Sequence, residues 1–440
     1  MSKEQTVYHD RLIEYQRSGQ RIRVALVGAG AMGVGIAWQI GRTPAMELVS
    51  VTDIHLDAAV RAAKACGKPY AVVSASDPMP RKGEVLVTRD PFFLLDKDRG
   101  LGVDVLVEAT NTIGFAGKIC LEALEKKIHV ILMNAEVDLA LGPILHDTAI
   151  RNGVVVTSDA GDQHGVLMRM IDDIRLWSFR IVMAGNIKGF LNRYASADSL
   201  EHEARIRNLD VVQCCSYTDG TKLNVEMGLI ANGAGLVPWV PGMEGPTAKH
   251  VNDVIKLFDF RKYGDTGVVD YILGAEPGGG VFIVGHCDDP VQMPYLKYYK
   301  LGDGPFYLFY RPYHLCHLET PWAIARAVLD RRPLLWPQHG RVTDVYAYAK
   351  RDVKAGEVVP RAIGGNVFYG LLELSAPADR KGMVPISLLE GEDDKLSRMK
   401  RNVPKDKPLL RDDVDLLDTF LVRTFAYQKQ GLSAAGERPS

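Results

Sequence analysis

The sequence predicts an α/β fold in which a doubly wound parallel sheet is followed by an α+β domain and a small all-β module. Apolar runs alternate with helical segments from residue 21 to about residue 160, which is typical of a parallel sheet that helices cover on both faces. Between residues 161 and 345 the pattern changes to mixed helices and strands with glycine-rich turns. Residues 346–427 then form short strands separated by glycine and proline, which predicts a compact β structure.

The composition is that of a globular protein and argues against several classes of partner. At 440 residues, of which 47% are hydrophobic and 24% charged, the chain is long enough for two or three domains. The net charge of −1 offers no electrostatic surplus for binding nucleic acid or an anionic membrane. Six cysteines without a C-x-x-C spacing predict reduced thiols and a cytoplasmic location. No apolar run approaches the ~18 residues that a membrane span requires.

The two ends of the chain are predicted to lie outside the domains. Residues 1–20 are polar, with Leu12, Ile13 and Tyr15 at roughly helical spacing, and they predict a short helical arm. Residues 428–440 are mostly small or polar and predict a disordered tail.

The segment from Arg21 to Asp53 has the features of a dinucleotide-binding unit. A buried strand runs into a G-x-G-x-x-G turn, a helix follows, and a second strand ends at Asp53, about 20 residues after the glycines. The glycines let the backbone approach a diphosphate, the helix N-terminus supplies free N–H groups, and the acid holds a ribose hydroxyl. The predicted cofactor-binding residues are Gly28, Ala29, Gly30, Ala31, Met32, Gly33 and Asp53. These features identify a Rossmann domain over residues 21–160, with a vestigial unit lacking cofactor as the alternative.

Two later strands end in polar residues at the edge where α/β sheets bind ligands. The predicted strand Val103–Ala109 ends in Glu108 and Ala109 and is followed by Thr110 and Asn111. These four residues are predicted to lie beside the cofactor. The strand His129–Met133 is followed by Asn134 and Glu136, which are predicted to contact the nicotinamide ribose or the substrate. Helices are predicted after these two strands, at Phe115–Lys126 and Leu139–Asn152.

Lysines beside glycine turns are the candidate catalytic groups of the α+β domain, residues 161–345. Lys188 lies in GNIKG, directly after a predicted strand. Asp219 and Lys222 precede an amphipathic helix, where a lysine in the first turn opposes the helix dipole unless it has another task. Two lysines and an aspartate around one cleft suit a substrate with a phosphate or a developing alkoxide. The cleft between this domain and the first is the expected reaction site.

The segment FYRPYHLCHLETPWA is dense in polar groups. Arg311, His314 and His317 are predicted to bind substrate, and Glu319 is a further catalytic candidate. Two alternatives stay open. Glu319 could cap a helix beside partly buried histidines, or His314 and His317 could form a metal pair, which would require a third ligand.

Several of these motifs resemble known families. VGAGAMG with VTD, the EAT strand end and HVILMNAE resemble the nucleotide domain of homoserine dehydrogenase, while GNIKG and DGTKLNVEMGL fall at that family's substrate-domain turn and catalytic segment. Asn134 is followed by Ala135 where the homoserine enzymes have lysine, and Ile187-Lys188 replaces an Asn-Gly-Thr run, so the substrate pocket differs. AKRDVKAGEVV and MVPISLLEG resemble a SAF-type β-clip domain, which those enzymes lack. The combination, over nearly the whole chain, resembles the deoxyxylulose phosphate reductoisomerase-like enzymes.

That resemblance implies a homodimeric enzyme that converts 1-deoxy-D-xylulose 5-phosphate to 2-C-methyl-D-erythritol 4-phosphate, the first committed step to isoprenoid precursors. It implies NADPH and a divalent metal, Mg or Mn, as cofactors. Lys188, Lys222, Arg311 and the histidines would hold the phosphate and polarise the carbonyl. Asp53 opposes NADPH, because an acid in this position repels a 2′-phosphate and favours NAD, unless Arg61 compensates.

Two other functions remain open from the sequence. The first is an NAD(P)-dependent dehydrogenase of a hydroxy acid, an amino acid, a sugar acid or a polyol, without a rearrangement. The second is a regulatory or binding protein in which the SAF-like module senses a sugar and the nucleotide fold is vestigial.

Overall fold

The computed structural model describes residues 7–74, 77, 81, 83–95, 101–207, 210–393 and 395–430. The chain divides into two compact units. The first comprises the described residues of Met1–Asp162, Leu315–Trp336 and Gln428–Glu437, and the second those of Gln163–His314 and Pro337–Tyr427. Of the predicted tail at 428–440, residues 431–440 lie outside the described part of the chain.

The first unit is built on a seven-stranded parallel sheet. Its strands are β1 (Ile22–Val27), β2 (Met46–Thr52), β3 (Tyr70–Val72), β4 (Val85–Thr88), β5 (Val105–Glu108), β6 (His129–Leu132) and β7 (Val156–Ser158). They lie in the order β3-β4-β2-β1-β5-β6-β7, and every neighbouring pair is parallel. The strand order reverses between β1 and β5, and ligands of open α/β sheets bind at such a switch point. The predicted doubly wound parallel sheet is therefore confirmed.

The helices of this unit include one, directly after β6, that has a capping residue at each end. They are α1 (Tyr8–Arg17), α2 (Ala31–Ile40), α3 (Leu56–Cys66), α4 (Gly114–Glu125) and α5 (Ala135–Asn152), with a 3-10 turn at Phe92–Leu95. Helix α5 begins four residues before the predicted start at Leu139, because the Asn134 side chain accepts a hydrogen bond from the Val137 N–H. It ends before Gly153, whose φ of 66° is left-handed, the conformation in which glycine most often terminates a helix.

The second unit is built on a five-stranded mixed sheet. Its strands are β8 (Arg180–Lys188), β9 (Val237–Pro238), β10 (Val268–Leu273), β11 (Val281–His286) and β12 (Phe306–Arg311), in the order β12-β11-β8-β10-β9. Strand β10 is parallel to β8, whereas β11 is antiparallel to both β8 and β12. The helices are α6 (Gln163–Leu176), α7 (Ala197–Arg207), α8 (Val211–Thr218), α9 (Thr221–Ala234), α10 (Val254–Leu257) and α11 (Gln292–Tyr298), with 3-10 turns at Val251–Asp253 and Phe260–Tyr263.

The two faces of this sheet pack against different elements. On one face Met183 and Ile187 of β8 join a buried apolar cluster with Val254, Phe258 and Phe260. Helices α6 and α9 contact the strands as well, α6 at β8 and β11, and α9 at β10 and β8. Because side chains alternate along a strand, Ala184, Asn186 and Lys188 of β8 face these two helices, whereas a register shift next to Met183 places Val182 in the apolar cluster.

The remaining elements complete both units. Helix α12 (Cys316–Ala325) continues into a π-helical turn, Arg326–Asp330, and belongs to the first unit. In the second unit, β13 (Thr343–Ala349) and β14 (Phe368–Leu374) form an antiparallel pair that packs on α9, followed by α13 (Ser375–Arg380), a 3-10 turn at Ile386–Leu389, β15 (Arg398–Met399), a 3-10 turn at Arg411–Asp413 and β16 (Val414–Asp415). Helix α14 (Phe420–Lys429) is the last element. The SAF-type assignment of this module stays a prediction.

Within the predicted N-terminal arm, α1 is anchored to the first unit. Arg11 forms an ion pair with Asp330 at 2.7 Å, and the Tyr8 hydroxyl donates to the same carboxylate. The Tyr8 ring lies edge-on to Trp322 at 5.2 Å. In the described part of the chain, no helix is long and apolar enough to cross a bilayer.

Candidate functional site

The glycine turn of the first unit has the geometry that a diphosphate requires. A Cβ atom at Gly33 would lie 2.1 Å from the carbonyl oxygen of Gly28, so only glycine lets α2 sit this close to the turn. A Cβ at Gly28 would lie 2.5 Å from the carbonyl carbon of Ala109, at the switch point. At Gly30, by contrast, no atom lies within 4 Å of an added Cβ, and no side chain caps α2 there. The turn therefore offers open space in front of free helix N–H groups, which fits a nucleotide diphosphate.

This open space leads to a testable prediction for the Gly30→Ala variant. The φ of Gly30 is −67°, which alanine adopts readily, so the variant should fold with an unchanged melting temperature. Its methyl group would occupy the space in front of α2, and we expect affinity for nicotinamide nucleotides to fall by about tenfold or more, measured by calorimetry. Gly278→Ala, where the nearest atom is 3.8 Å away, is the matched control. Equal affinities of the two variants would contradict this assignment.

Asp53 is held rigidly at the end of β2. One carboxylate oxygen accepts the Ala29 N–H at 2.7 Å and the other accepts the His55 N–H at 2.8 Å. Arg61, the predicted compensating cation, is exposed on α3 and forms no hydrogen bond or ion pair among the described residues. The negative charge beside the ribose position is thus fixed by two backbone amides, and the structure brings no cation to it within the described chain.

The end of β5 brings a buried carboxyl to the cofactor side. Glu108 is fully buried and one of its oxygens accepts the Thr110 N–H at 2.9 Å, while the other has no partner in the described chain. Burial raises the pKa of Glu108 to about 7. Thr110 shares a hydroxyl hydrogen bond with Thr112 at 3.1 Å, and Asn111 is exposed beside it. Glu108 can therefore hold or release a proton near neutral pH.

Asn134 and Glu136 follow β6, as predicted, and Asn134 also has a structural task. In addition to capping α5, its side-chain amide donates to the Thr112 carbonyl at 2.7 Å and ties together the ends of β5 and β6. Glu136 lies in the first turn of α5, where a negative charge is favourable to the helix dipole.

Two further buried carboxyls, which were not among the predicted site residues, lie at this edge of the sheet. Asp138 accepts a hydrogen bond from the Ser158 hydroxyl, and Asp159 accepts the Gly161 N–H at 2.7 Å. Burial raises the pKa of each to about 7. Asp159 directly follows β7, and Asp138 lies in the first turn of the helix after β6, so closeness to the carboxyl ends of parallel strands was the signal that could have identified them.

In the second unit the strand register brings predicted residues to one face. Lys188 ends β8, and Arg311 pairs in register with Val281, which pairs in turn with Asn186. Asn186, Lys188 and Arg311 consequently share the face of the sheet to which α6 and α9 pack. The Lys188 ammonium lies 5.5 Å from the centre of the Tyr217 ring, and the Arg311 guanidinium 4.7 Å from that of Tyr313.

His314 lies next to this cationic face. Its Nδ1 is 2.6 Å from the carbonyl oxygen of Gly279, and since a carbonyl only accepts, Nδ1 carries the proton and Nε2 is left to bind a ligand. The N–H of Gly279 donates to the carbonyl of Ile187, the residue before Lys188. The predicted substrate residues Lys188, Arg311 and His314 are thus positioned by adjoining segments of one sheet edge.

Asp219 and Lys222 lie at the N-terminus of α9, a helix that is buried along its whole length. Asp219 accepts the Thr221 N–H at 2.8 Å and pairs with the Lys350 ammonium at 2.8 Å. Burial raises the pKa of Asp219, and the charge of Lys350 opposes that rise. Lys222 is buried, with 8% of its surface exposed. The sequence offered no signal for Lys350, because its partner lies far away along the chain.

His317 and Glu319 fall in the first unit, on α12, whereas His314 falls in the second. The imidazole of His317 packs on α2, since a Cβ at Gly35 would lie 2.6 Å from its Cγ. Burial lowers the pKa of His317. Glu319 lies in the first turn of α12, where a negative charge is favourable to the helix dipole, and its catalytic role stays a prediction.

The divalent metal implied by the resemblance, Mg or Mn, is bound mainly by carboxylate, carbonyl and water oxygens, and Mg often takes only one or two carboxylates. Within each unit taken by itself, the described residues do not bring together three ligand atoms of His, Cys, Asp or Glu side chains. The metal therefore stays a prediction.

Comparisons with known proteins agree with an oxidoreductase. Residues 161–320 match the family model of the oxidoreductase DRL catalytic domain. No curated protein matches the chain. The chain is 17% identical to the WlbA dehydrogenase from Bordetella pertussis in complex with NADH and UDP-GlcNAcA, covering 41% of this chain and 50% of that one, with a TM-score of 0.30. It therefore spans half the length of that dehydrogenase.

Two further solved structures are similar at comparable distance. GenD2 from gentamicin A biosynthesis, in complex with NAD, is 13% identical over 73% of this chain and 90% of its own, with a TM-score of 0.40. The 1-deoxy-D-xylulose 5-phosphate reductoisomerase from Zymomonas mobilis, in complex with NADPH, is 19% identical over 48% and 57%, with a TM-score of 0.34. Sequence identities of 13–19% with TM-scores of 0.30–0.40 do not identify a substrate. The chain therefore combines a Rossmann-type first unit, whose glycine turn fits a nucleotide diphosphate, with a stretch that matches an oxidoreductase catalytic domain.

Proposed function

We propose that this oxidoreductase converts 1-deoxy-D-xylulose 5-phosphate to 2-C-methyl-D-erythritol 4-phosphate with NADPH, as a cytoplasmic homodimer. The observation that carries the proposal is the shared sheet face of Lys188 and Arg311, inside the stretch that matches the oxidoreductase domain. Two cations on one face, next to the free Nε2 of His314, suit a phosphorylated hydroxy-ketone. The sequence resemblance supplies the specific substrate.

In this proposal, residues of the first unit bind the nucleotide and residues of the second unit bind the substrate. Gly28, Gly30 and the N-terminus of α2 would hold the nucleotide diphosphate, and Asp53 would hold the ribose. The bound nicotinamide supplies the hydride. Lys188 and Arg311 would bind the substrate phosphate. Lys222 would polarise the carbonyl, since a buried ammonium group stabilises developing negative charge strongly.

The test is oxidation of NADPH by the purified chain with 1-deoxy-D-xylulose 5-phosphate, with added Mn or Mg and with a chelator. Formation of the branched product, and its loss with chelator, would support the proposal and its metal. The Lys222→Ala variant should lose turnover while keeping nucleotide affinity, because Lys222 lies in the second unit. Turnover that survives alanine at both Lys188 and Lys222 would favour the regulatory alternative.

A second candidate is an NAD-dependent dehydrogenase of a hydroxy acid, a sugar acid or a polyol. The rigid placement of Asp53 favours it, because a carboxylate fixed by the Ala29 and His55 amides repels a 2′-phosphate. Oxidation of unphosphorylated sugar acids with NAD, and no reaction with the phosphorylated ketone, would decide for this candidate.

Cofactor preference can be measured without knowing the substrate. If the second candidate is right, NADH should bind at least tenfold more tightly than NADPH, and Asp53→Ser should narrow or reverse that difference by removing the repelling charge. The reductoisomerase proposal requires the opposite preference. Fluorescence titration with both reduced nucleotides measures the two affinities. Asp57→Ser, which removes an exposed acid in the first turn of α3, is the matched control. Tighter binding of NADPH to the unaltered chain would show that Asp53 does not control the choice.

A further inference from the structure

The buried side-chain amide of Asn186 differs from those of Asn224 and Asn232 in the second unit, because it has no hydrogen-bond partner among the described residues. Asn224 donates to the Gly220 carbonyl and accepts the Leu372 N–H, and Asn232 donates to the carbonyl of Thr343 and accepts its N–H. Asn186 is fully buried, yet neither its amide oxygen nor its amide nitrogen has a partner in the described chain. A buried polar group without partners is costly, and in a folded protein it calls for a ligand or a bound water.

The position of Asn186 identifies where that ligand would lie. Asn186 is two residues before Lys188, so the two side chains share the face to which α6 and α9 pack, about 7 Å apart along the strand. In the adjoining strands its neighbours in register are Tyr271 and Val281, and Arg311 is the next residue beyond Val281. The orphaned amide thus lies on the same face as both cations of the candidate substrate site.

We infer that Asn186 is a substrate-positioning residue whose carboxamide binds a hydroxyl or carbonyl oxygen of a phosphorylated or carboxylated polyhydroxy compound. An amide both donates and accepts, which matches a hydroxyl next to a carbonyl, whereas Lys188 and Arg311 can only donate to an anionic group. The role of Asn186 rests on the proposed function of this face. Asn186 would bind the uncharged part of the substrate.

The Asn186→Leu variant tests this role, because leucine has a similarly branched, somewhat larger side chain and no polar atoms. If the amide is kept for a ligand, the unliganded variant should have an unchanged or higher melting temperature. The KM for 1-deoxy-D-xylulose 5-phosphate should rise tenfold or more, while nucleotide affinity stays unchanged. Asn186→Ser, which restores a donor and an acceptor, should recover part of the KM and covers the case in which leucine does not fit.

Asn232→Leu is the matched control, since its amide is fully engaged with Thr343. That variant should have a lower melting temperature. If Asn186→Leu and Asn186→Ser are both destabilised as much as Asn232→Leu, the amide has a structural role and the inference fails. If the unaltered chain does not turn over the phosphorylated ketone, the proposed function fails separately. The same comparison then uses binding of 6-phosphogluconate by calorimetry, and equal affinities of the unaltered chain and Asn186→Leu would overturn the inference.

Discussion

Replacing Lys350 with methionine is expected to lower the free energy of unfolding by about 3–5 kcal/mol, the usual result of breaking a buried ion pair from one side. The ammonium group is buried and lies 2.8 Å from the Asp219 carboxylate. It also donates to the carbonyls of Ala195 at 2.7 Å and Gly365 at 2.6 Å. Methionine fills a similar volume but leaves a buried carboxylate without its counter-ion and two carbonyls without their donor. Urea denaturation at pH 8 measures the loss.

The pH dependence and a double variant make this expectation specific. Without Lys350 the pKa of Asp219 rises further, and a protonated carboxyl is cheaper to bury, so the loss should be smaller at pH 5 than at pH 8. Lys350→Met with Asp219→Asn removes both charges and should recover most of the stability. Lys354→Met, at an exposed lysine of the same module, should change stability by less than about 0.5 kcal/mol. Equal losses at Lys350 and Lys354 would refute the buried pair.

The double variant also tests the task of Asp219. Its carboxylate accepts the Thr221 N–H and so supports the first turn of α9, which carries Lys222. Asparagine can still accept that hydrogen bond. If Asp219 only positions α9, activity should return with stability. If the carboxylate acts on the substrate, the stable double variant should remain inactive.

The first unit is expected to lose several kcal/mol of unfolding free energy as the pH rises from 5 to 8. Burial raises the pKa values of Glu108, Asp138 and Asp159 to about 7, above their ordinary range near 4. Between these limits the folded state binds more protons than the unfolded state, so each such group weakens stability as the pH rises. The stability that these protonated carboxyls contribute is fully present below about pH 4 and is lost as the pH rises through about 7. A shift of one unit corresponds to about 1.4 kcal/mol.

Three histidines of this unit oppose the trend. Burial lowers the pKa of His129 to about 4 and also lowers the pKa values of His146 and His317, so the stability that they contribute is present above their ordinary pKa and is lost as the pH falls. The three fully buried carboxyls should outweigh the imidazoles, and the net slope of stability between pH 5 and 7 should be negative. Asp138→Asn and Asp159→Asn should each flatten it, whereas Asp147→Asn, at a partly exposed acid on α5, should not. A stability that is flat or rises with pH in the unaltered chain would show that these carboxyls are ionised when buried.

Local patterns predicted the strands and helices of the first unit closely. The strand predicted at His129–Met133 is observed at His129–Leu132, and the helix predicted at Phe115–Lys126 is observed at Gly114–Glu125. The function of the Gly28–Gly33 turn could be predicted because it depends on residues close together in the chain. Gly28 and Gly33 allow close backbone contacts, and Gly30 leaves open space for a ligand. The start of α5 at Ala135 was not predicted, because it depends on the hydrogen bond that the Asn134 side chain accepts from the Val137 N–H, and hydrophobic periodicity does not indicate such a cap.

The alternation of apolar runs and the glycine spacing were sufficient to establish a Rossmann-type sheet with a nucleotide turn, since both depend on residues close together in the chain. Folding in three dimensions was needed to pair Asp219 with Lys350, to place Lys188 and Arg311 on one face beside the orphaned amide of Asn186, and to bury Asp138 and Asp159. Those relations depend on strand register and desolvation. Both arise between segments distant along the chain, and no short sequence window contains them.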